Sequence, residues 1–398
     1  MRVVFVNRFY WPEEPATAQL LTDLAQALAA RGHSITVITS RASGSPSREV
    51  HVGVEIRRVV RTRWGRRSLF GRAIDFMAFL LAASWCLVRT VGRQDVVVAM
   101  TDPPLLGLVV SAAVWLKSAR CLHWVQDVYP EVAVALSGAP GLRIFGGGVR
   151  LLRNLSWKSS AGCVALGHDM AALIAQAGVP PERIAIIPNW SPAGLDVPSS
   201  SAVAECRRRW GLEDRFVAAY SGNLGRVHDL GPVLSVAELL RDDARIAFLF
   251  VGGGAQRAPL EQFARERGLS NVRFEPAQPR QQLAAALAAG DVHFVTLHAA
   301  CAALVFPSKF YGIAAVGRPV FFIGPPESEP ARLVEEHDMG RAFSRGETSA
   351  IAAALTQLAT DHARWQQLAA NAATFSRRHG RLEHALVAWE HVLRDAAC

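Results

Sequence analysis

The sequence is short of charge, of paired cysteines and of long uninterrupted apolar runs, and each shortage removes a class of protein. Only 19% of its 398 residues are charged against 51% hydrophobic, which excludes a disordered chain, since such chains lack the apolar surface needed to offset ordering entropy. The six cysteines (Cys86, Cys121, Cys163, Cys206, Cys301, Cys398) form no C-x-x-C pair and have no histidine at zinc-site spacing. A disulfide scaffold is thereby excluded, no metal site is expected, and the thiols are read as reduced and mostly buried. The apolar segments Phe76 to Val88 and Pro103 to Leu116 are 13 and 14 residues long, whereas a spanning helix needs about 20. Both are expected to be buried helices. The apolar run before Arg8 is too short for a secretory leader, so a cytoplasmic protein is expected.

What the chain does hold is enough length for two domains and a lopsided charge. Residues 1–195 carry 21 basic and 12 acidic side chains, while residues 196–398 carry 22 of each, so the whole net charge of +9 sits in the first half. A basic surface confined to one half fits an anionic partner there. Strand-like runs alternate with helical stretches, the pattern of parallel sheets built from βαβ units. Strands are expected at 3–6, 35–38, 96–99, 121–125, 162–165 and 184–187, then at 216–220, 246–251, 272–274, 292–297 and 319–323. Residues 188–201 are rich in Pro, Gly and Ser and read as a linker. Helices follow near 348–376 and 382–393, the last with Leu382, Leu386, Trp389 and Leu393 at helical spacing. The expected domains are 1–195, 196–376 and a returning helix within 377–398.

Between Arg57 and Arg72 lie seven arginines and no acid, interleaved with Trp64 and Phe70. Such a stretch attracts an anionic leaflet by about 1 kcal/mol per basic residue near the surface. Arg61, Arg63, Trp64, Arg66, Arg67 and Phe70 are the candidate membrane contacts, with a solvated basic loop as the plainer reading. Nucleic acid is not expected, because no helix-turn-helix, RNP or zinc-finger pattern accompanies the arginines.

Ligands of open α/β sheets bind beyond the carboxyl ends of strands, so the loops after strands are where chemistry is sought. The loop Asn7-Arg8-Phe9-Tyr10-Trp11-Pro12-Glu13 follows the first strand, and it is no dinucleotide fingerprint, since G-x-G-x-x-G is absent. Gln126-Asp127 follows another strand, placing a carboxylate where a sugar hydroxyl could donate to it; alternatively Asp127 caps the next turn. In the second half, Ser221-Gly222-Asn223-Leu224-Gly225-Arg226 and Gly252-Gly253-Gly254 both follow strands, where glycines let backbone N–H groups approach a phosphate. Arg226 is the nearest cation for a diphosphate, unless it is simply solvated. In Pro307-Ser308-Lys309-Phe310, Ser308 can cap a helix that ends at Gly317. Lys309 in that first turn opposes the helix dipole, so it is read as an anion ligand.

Asn7 to Ser40, Gln126 to Glu131, Ile187-Pro188-Asn189-Trp190, Tyr220 to Gly225, Phe250 to Gly254 and Pro307 to Val320 stand in an order and spacing that resembles the family 4 glycosyltransferases, above all those building colanic acid, O-antigen and capsular polysaccharide. The resemblance spans essentially the whole chain. It implies the α/β GT-B fold: two facing Rossmann-like doubly wound domains, the acceptor on the first, the nucleotide sugar on the second, and a last helix crossing back. It implies retention of anomeric configuration, no metal and no cofactor beyond the substrate nucleotide sugar. The sequence departs from the family pattern where Gln126 replaces a histidine, Gly312 and Leu304 fall at glutamate positions, and Asn223 and His228 fall where Arg and Lys usually hold the diphosphate; His123 does not match the missing histidine.

The resulting expectation is a glycosyltransferase passing a sugar, an N-acetylated amino or deoxy sugar by resemblance, from a UDP-sugar to a polyprenyl-diphosphate-linked acceptor on the inner face of the cytoplasmic membrane. Asp127, Arg226 and Lys309 are the candidate catalytic residues. Gly222, Asn223, Gly225, Gly252, Gly253, Ala303, Leu304, Val305 and Ser308 are the candidate donor-binding residues, and Asn7, Tyr10, Trp11, Glu13 and Gln126 the candidate acceptor-binding residues. A nucleotide-sugar epimerase of the same fold and a non-catalytic membrane scaffold are the rival readings.

Overall fold

A computed structural model describes residues 1–62, 64–66, 69–137 and 140–397, which divide into two compact units. Unit 1 comprises Met1–Asn189, Ala303–Phe306 and Leu382–Cys398; unit 2 comprises Trp190–Ala302 and Pro307–Arg381. The division at Asn189 precedes the expected Leu195, because Trp190 and Leu195 are buried within unit 2.

Unit 1 runs β1 (Arg2–Val6), α1 (Ala16–Ala30), β2 (Ser34–Ser40), β3 (Arg48–His51), β4 (Val54–Val59), α2 (Leu69–Thr90), β5 (Val96–Ala99), α3 (Leu106–Lys117), β6 (Arg120–Trp124), α4 (Glu131–Ser137), α5 (Pro140–Ser159), β7 (Gly162–Ala165), α6 (His168–Gln176) and β8 (Ile184–Ile186). Its eight strands stand in the order β3-β4-β2-β1-β5-β6-β7-β8, parallel except for the β3–β4 hairpin. That hairpin was not expected from sequence: alternating Arg and Glu at 55, 57 and 58 weaken the apolar signal, as befits the edge of a sheet. The central strands are continuous apolar runs buried on both faces.

Unit 2 runs α7 (Ser200–Trp210), β9 (Phe216–Ser221), α8 (Gly231–Leu239), β10 (Ile246–Val251), α9 (Arg257–Glu266), β11 (Val272–Glu275), α10 (Leu283–Ala288), β12 (Val292–Thr296), α11 (Lys309–Ala315), β13 (Val320–Ile323), α12 (Glu329–Glu336), β14 (Gly340–Phe343), α13 (Thr348–Thr360) and α14 (His362–His379). The six strands are all parallel in the order β11-β10-β9-β12-β13-β14. Phe248 stacks on Phe294 in its core, with ring centroids 6.4 Å apart. The expected helix at 348–376 is two helices, broken at Asp361, whose carboxylate accepts from the Arg364 N–H at 2.9 Å and caps α14.

The final helix α15 (Leu382–Ala397) belongs to unit 1. Its expected apolar face is buried there: Trp389 meets Trp124 and Phe5 edge-on at 4.9 and 6.4 Å. Glu390 beside it takes the Arg31 guanidinium at 2.7 Å.

One expectation about the helices is corrected. The 13-residue apolar run is the middle of a 22-residue helix, α2, and Ala73–Thr90 is long and apolar enough, by length and composition, to cross a membrane. Its inner face (Phe79, Leu80, Ala83, Leu87) is buried in unit 1, but the outer face is exposed.

In each sheet the chain reverses direction of growth once, between β1 and β5 and between β9 and β12. Crevices form beyond the carboxyl ends of strands at such switch points, and both candidate sites lie there.

Candidate functional site

At the unit 2 switch point, the loops after β9 and β10 lock together. Gly222 and Gly252 both hold left-handed φ angles, and a Cβ on Gly252 would stand 2.1 Å from the Gly222 carbonyl oxygen. Only glycine permits this approach. The Gly222 N–H donates to the Val251 carbonyl at 2.9 Å, the Gly252 N–H to Glu275 at 3.0 Å and the Leu224 N–H to Gly253 at 2.8 Å. The expectation that Gly222 and Gly252 offer their N–H groups to a phosphate is therefore corrected: they build the platform. Among the described residues, the N–H groups of Asn223, Gly225 and Gly253 make no hydrogen bond, so those three remain candidate donors.

Lys309 opens α11 beneath this platform. Its ammonium nitrogen is sealed from solvent, has no hydrogen-bond partner and lies 3.4 Å from the centroid of the Tyr220 ring. Burial pushes its pKa well below the ordinary lysine value. Tyr220 is itself pinned, its hydroxyl donating to the Asn223 carbonyl at 3.0 Å. His228 packs edge-on against that ring and places Nδ1 2.7 Å from the Thr296 carbonyl; burial first, then Lys309, bring its pKa down to about 3. A neutral histidine donating to a carbonyl leaves no charge to hold a diphosphate. Arg226 is exposed and makes no ion pair among the described residues. Ser308 does not cap α11: its own backbone is helical and its side chain makes no cap bond, which corrects the sequence reading.

Ala303, Leu304 and Val305 group with unit 1 rather than with the glycine loops. There the Val128 N–H donates to the Leu304 carbonyl at 2.9 Å, and Asp127 forms an antiparallel bridge with Val305.

The unit 1 switch point joins the ends of β1 and β5. The Arg8 N–H donates to the Asp102 carbonyl at 2.9 Å, and the Arg8 guanidinium stands 3.9 Å from the Asp102 carboxylate and 4.9 Å from the Phe76 ring centroid. A cavity of about 720 Å³ opens there, lined by Arg8, Glu13, Arg61, Thr62, Asp75 and Asp102 with Phe76 as an apolar wall. Burial raises the Asp102 pKa against the pull of Arg8. Burial, with Asp102 as a second cause, raises Asp127 to about 6. Neither Arg8 nor Asp102 was singled out from sequence; the only signal was that each follows a strand.

The other residues expected around an acceptor divide. Glu13 lines the cavity, holding Arg61 at 2.5 Å. Asn7 is wholly buried and folds its amide onto the Phe9 carbonyl at 2.8 Å. Gln126 and Asn189 spend their amides on each other in two reciprocal bonds of 3.0 Å, so Gln126 is a strut and not a ligand. Tyr10 is buried, which pushes its phenol up, and Trp11 stacks on His51 at 3.7 Å. Gln126 is thus structural, correcting its reading as an acceptor ligand, whereas Asn7 Oδ1 and the Tyr10 hydroxyl are buried without a hydrogen-bond partner and Trp11 is half-buried. His123 is neutral and buried, its pKa brought down to about 4 by burial, with Nε2 3.1 Å from the Ser156 hydroxyl.

Of the candidate membrane contacts, Arg61 is turned into the cavity by Glu13, which corrects its outward reading. Trp64 is exposed, with its backbone N–H donating to Asp75 at 3.0 Å. Arg66 lies in a short helical turn and Phe70 in α2, while Arg63 and Arg67 lie outside the described residues.

Comparison with known proteins bears on this geometry. Residues 17–190 match the family described as "Glycosyl transferase 4-like domain" and residues 203–375 the one described as "Glycosyl transferases group 1". The chain is similar to the probable glycosyltransferase WbjE of Pseudomonas aeruginosa, 29% identical over 68% of this chain and 67% of that one. It is also similar to the putative colanic acid biosynthesis glycosyl transferase WcaI of Escherichia coli, 27% identical over 84% and 86%. Among solved structures, Anabaena HepE in complex with UDP and glucose covers 99% of both chains at a TM-score of 0.75 and 16% identity. WaaG, a glycosyltransferase involved in lipopolysaccharide biosynthesis, covers 98% of both at 0.74 and 16%. The chain belongs to the family 4 glycosyltransferases of the GT-B fold.

Proposed function

We propose that this glycosyltransferase transfers a sugar from a UDP-sugar, with retention and without a metal, to a lipid-linked glycan acceptor at the inner face of the cytoplasmic membrane. The observation that carries the donor half is Lys309: a buried amine without a hydrogen-bond partner that lies against Gly222 of the glycine loop, in which the N–H groups of Asn223 and Gly225 are unpaired. UDP is favoured as that anion by the HepE complexes with UDP and UDP-glucose. The acceptor half rests on the similarity to WcaI and on the basic first half of the chain.

In this mechanism the bond between the sugar's anomeric carbon and the β-phosphate oxygen breaks, and its electron pair leaves with UDP. Lys309, Arg226 and the free N–H groups of Asn223, Gly225 and Gly253 stabilise the charge that develops there, ordinarily the largest electrostatic contribution to such a step. The acceptor oxygen bonds to the anomeric carbon on the face the phosphate leaves, and its proton passes to the departing phosphate. Asp127 accepts a hydrogen bond from a sugar hydroxyl and orients it.

Calorimetric titration of the full chain with UDP, GDP and NADH at moderate salt tests the donor site. Selective UDP binding that Lys309→Ala weakens roughly ten- to a hundredfold is expected, the loss of one charge-assisted contact of about 1.5–3 kcal/mol. Undiminished UDP binding by that variant would refute the assignment.

A further inference from the structure

We propose that the outer faces of α2, α3 and α5 form one surface on which unit 1 lies flat against an anionic lipid bilayer. This surface continues from the arginine stretch singled out in the sequence, whose last residues begin α2, and it deepens the membrane part of the function proposed above without depending on the donor.

The three helices are neighbours on one face of the eight-stranded sheet. α2 packs on β2, β4 and α3, α3 on β5 and β6, and α5 on α3 and β7. Their inner sides supply the core: Phe79, Leu87 and Val110 are 2% exposed or less. Their outer sides should then be polar, as surface helices ordinarily are. They are not.

On α2 the exposed positions Ala73, Met77, Leu81, Trp85 and Arg89 recur every four residues, and no charge interrupts the helix between Asp75 and Arg89. α3 turns Trp115 and Leu116 outward and has no charge before Lys117. Leu151, Leu152 and Leu155 do the same on α5. From Met77 to Leu155, these large outward side chains are 53–81% exposed. Apolar residues scattered singly on a surface are ordinary, but a set spread over three adjacent helices marks an interaction surface.

Charge decides the occupant. By sequence the three helices hold seven basic residues and one acid; Arg153 is buried and paired with Glu131, while Arg89, Arg150 and Lys158 are exposed. The acid, Asp75, is engaged within the chain, accepting from the Thr62 hydroxyl and from the Trp64 and Gly65 N–H groups. Arg150 and Lys158 are exposed beside the α5 leucines, and Arg89 lies over the Trp85 ring at 4.1 Å. A second copy of this face would bring like charges together, whereas an anionic leaflet pairs phosphates with the basic rim and acyl chains with the leucines. Indoles with one apolar body and one polar edge suit the headgroup boundary. Crossing the bilayer is the poorer alternative for α2, because it would strip Phe79, Leu80, Ala83 and Leu87 from the core.

The test is co-sedimentation of the full chain with phosphatidylglycerol-containing vesicles and with pure phosphatidylcholine vesicles. Two variants carry it, Leu81→Gln with Trp85→Gln on α2, and Trp115→Gln with Leu155→Gln across α3 and α5, each checked for unchanged melting temperature and UDP affinity. The expected result is binding to the anionic vesicles that falls at least tenfold in each variant and is much weaker on neutral vesicles. Equal binding by variants and parent would overturn the proposal, as would a dimer in solution that the same substitutions dissolve. Loss of UDP binding with vesicle binding intact would instead sink the donor site and leave this surface standing.

Discussion

Lys309→Met is expected to make the protein more stable and less able to bind its donor, two effects of opposite sign from one atom. The lysine nitrogen is buried without a hydrogen-bond partner, and the groups facing it are the Tyr220 ring, neutral His228 and neutral His293. None is a counter-ion. Burial depresses the Lys309 pKa in the folded state, so between that value and the ordinary 10.5 the unfolded chain binds the extra proton. Stability attributable to this group therefore rises as pH rises through that window and is lowest below the folded pKa. Each unit of depression costs about 1.4 kcal/mol there. Methionine fills a similar volume with no group to desolvate. For a unit of this size each kcal/mol recovered raises the melting temperature by about 2–4 °C, so a rise of several degrees near neutrality, shrinking toward pH 10, is expected by scanning calorimetry. UDP supplies the missing counter-charge, so its binding should take up as much as one proton in the parent and none in Lys309→Met, read by titration in buffers of different ionisation enthalpy. A lower melting temperature for Lys309→Met, or equal proton uptake by both proteins, would refute the reasoning.

Three further outcomes follow from the same geometry. Asp127→Asn is expected to lower kcat by about tenfold, the difference between a charge-assisted and a neutral hydrogen bond, and to remove an acid limb near pH 6 from the rate profile, since the parent carboxyl is raised to about 6 by burial and Asp102. In stability the sign is reversed: a raised carboxyl pKa contributes below the unfolded value and is lost as pH rises through 6, so the asparagine variant should gain on its parent above that pH, by chemical denaturation. Gln126→Ala and Asn189→Ala should each destabilise unit 1 by about 1–3 kcal/mol, and the double variant by clearly less than their sum, because each single change strands a buried amide. Gly252→Ala forces a Cβ to 2.1 Å from the Gly222 carbonyl in a left-handed backbone, so a loss of about 2–4 kcal/mol and of UDP affinity is expected, the latter measured by calorimetry on whatever folds.

The sequence was most legible where local rules act. Continuous apolar runs such as Val96–Ala99 and Ile246–Val251 are strands because a parallel sheet buries both faces, and residue-to-residue periodicity showed Leu386, Trp389 and Leu393 as one buried face. Less legible were β3, β4 and β14, short strands whose exposed side chains dilute the apolar signal. Side-chain roles were least legible. Gln126 and Asn189 are 63 positions apart, and nothing local tells a glutamine that faces a ligand from one that faces a distant asparagine.

By itself the sequence determined two α/β units joined by a Pro-rich segment, the charge imbalance between halves, and the glycines and lysine on which the proposed donor site rests. Those properties follow from periodicity, composition and backbone freedom, each of which acts over a few residues. Only the tertiary structure decided that Arg8 and Asp102 share a cavity, that Gly222 and Gly252 support each other while Asn223, Gly225 and Gly253 stay free, and that Lys309 is left without a counter-ion. Parallel strands bring together loops that lie far apart in the chain, so which charges meet, and which remain unpaired, depends on strand order and register.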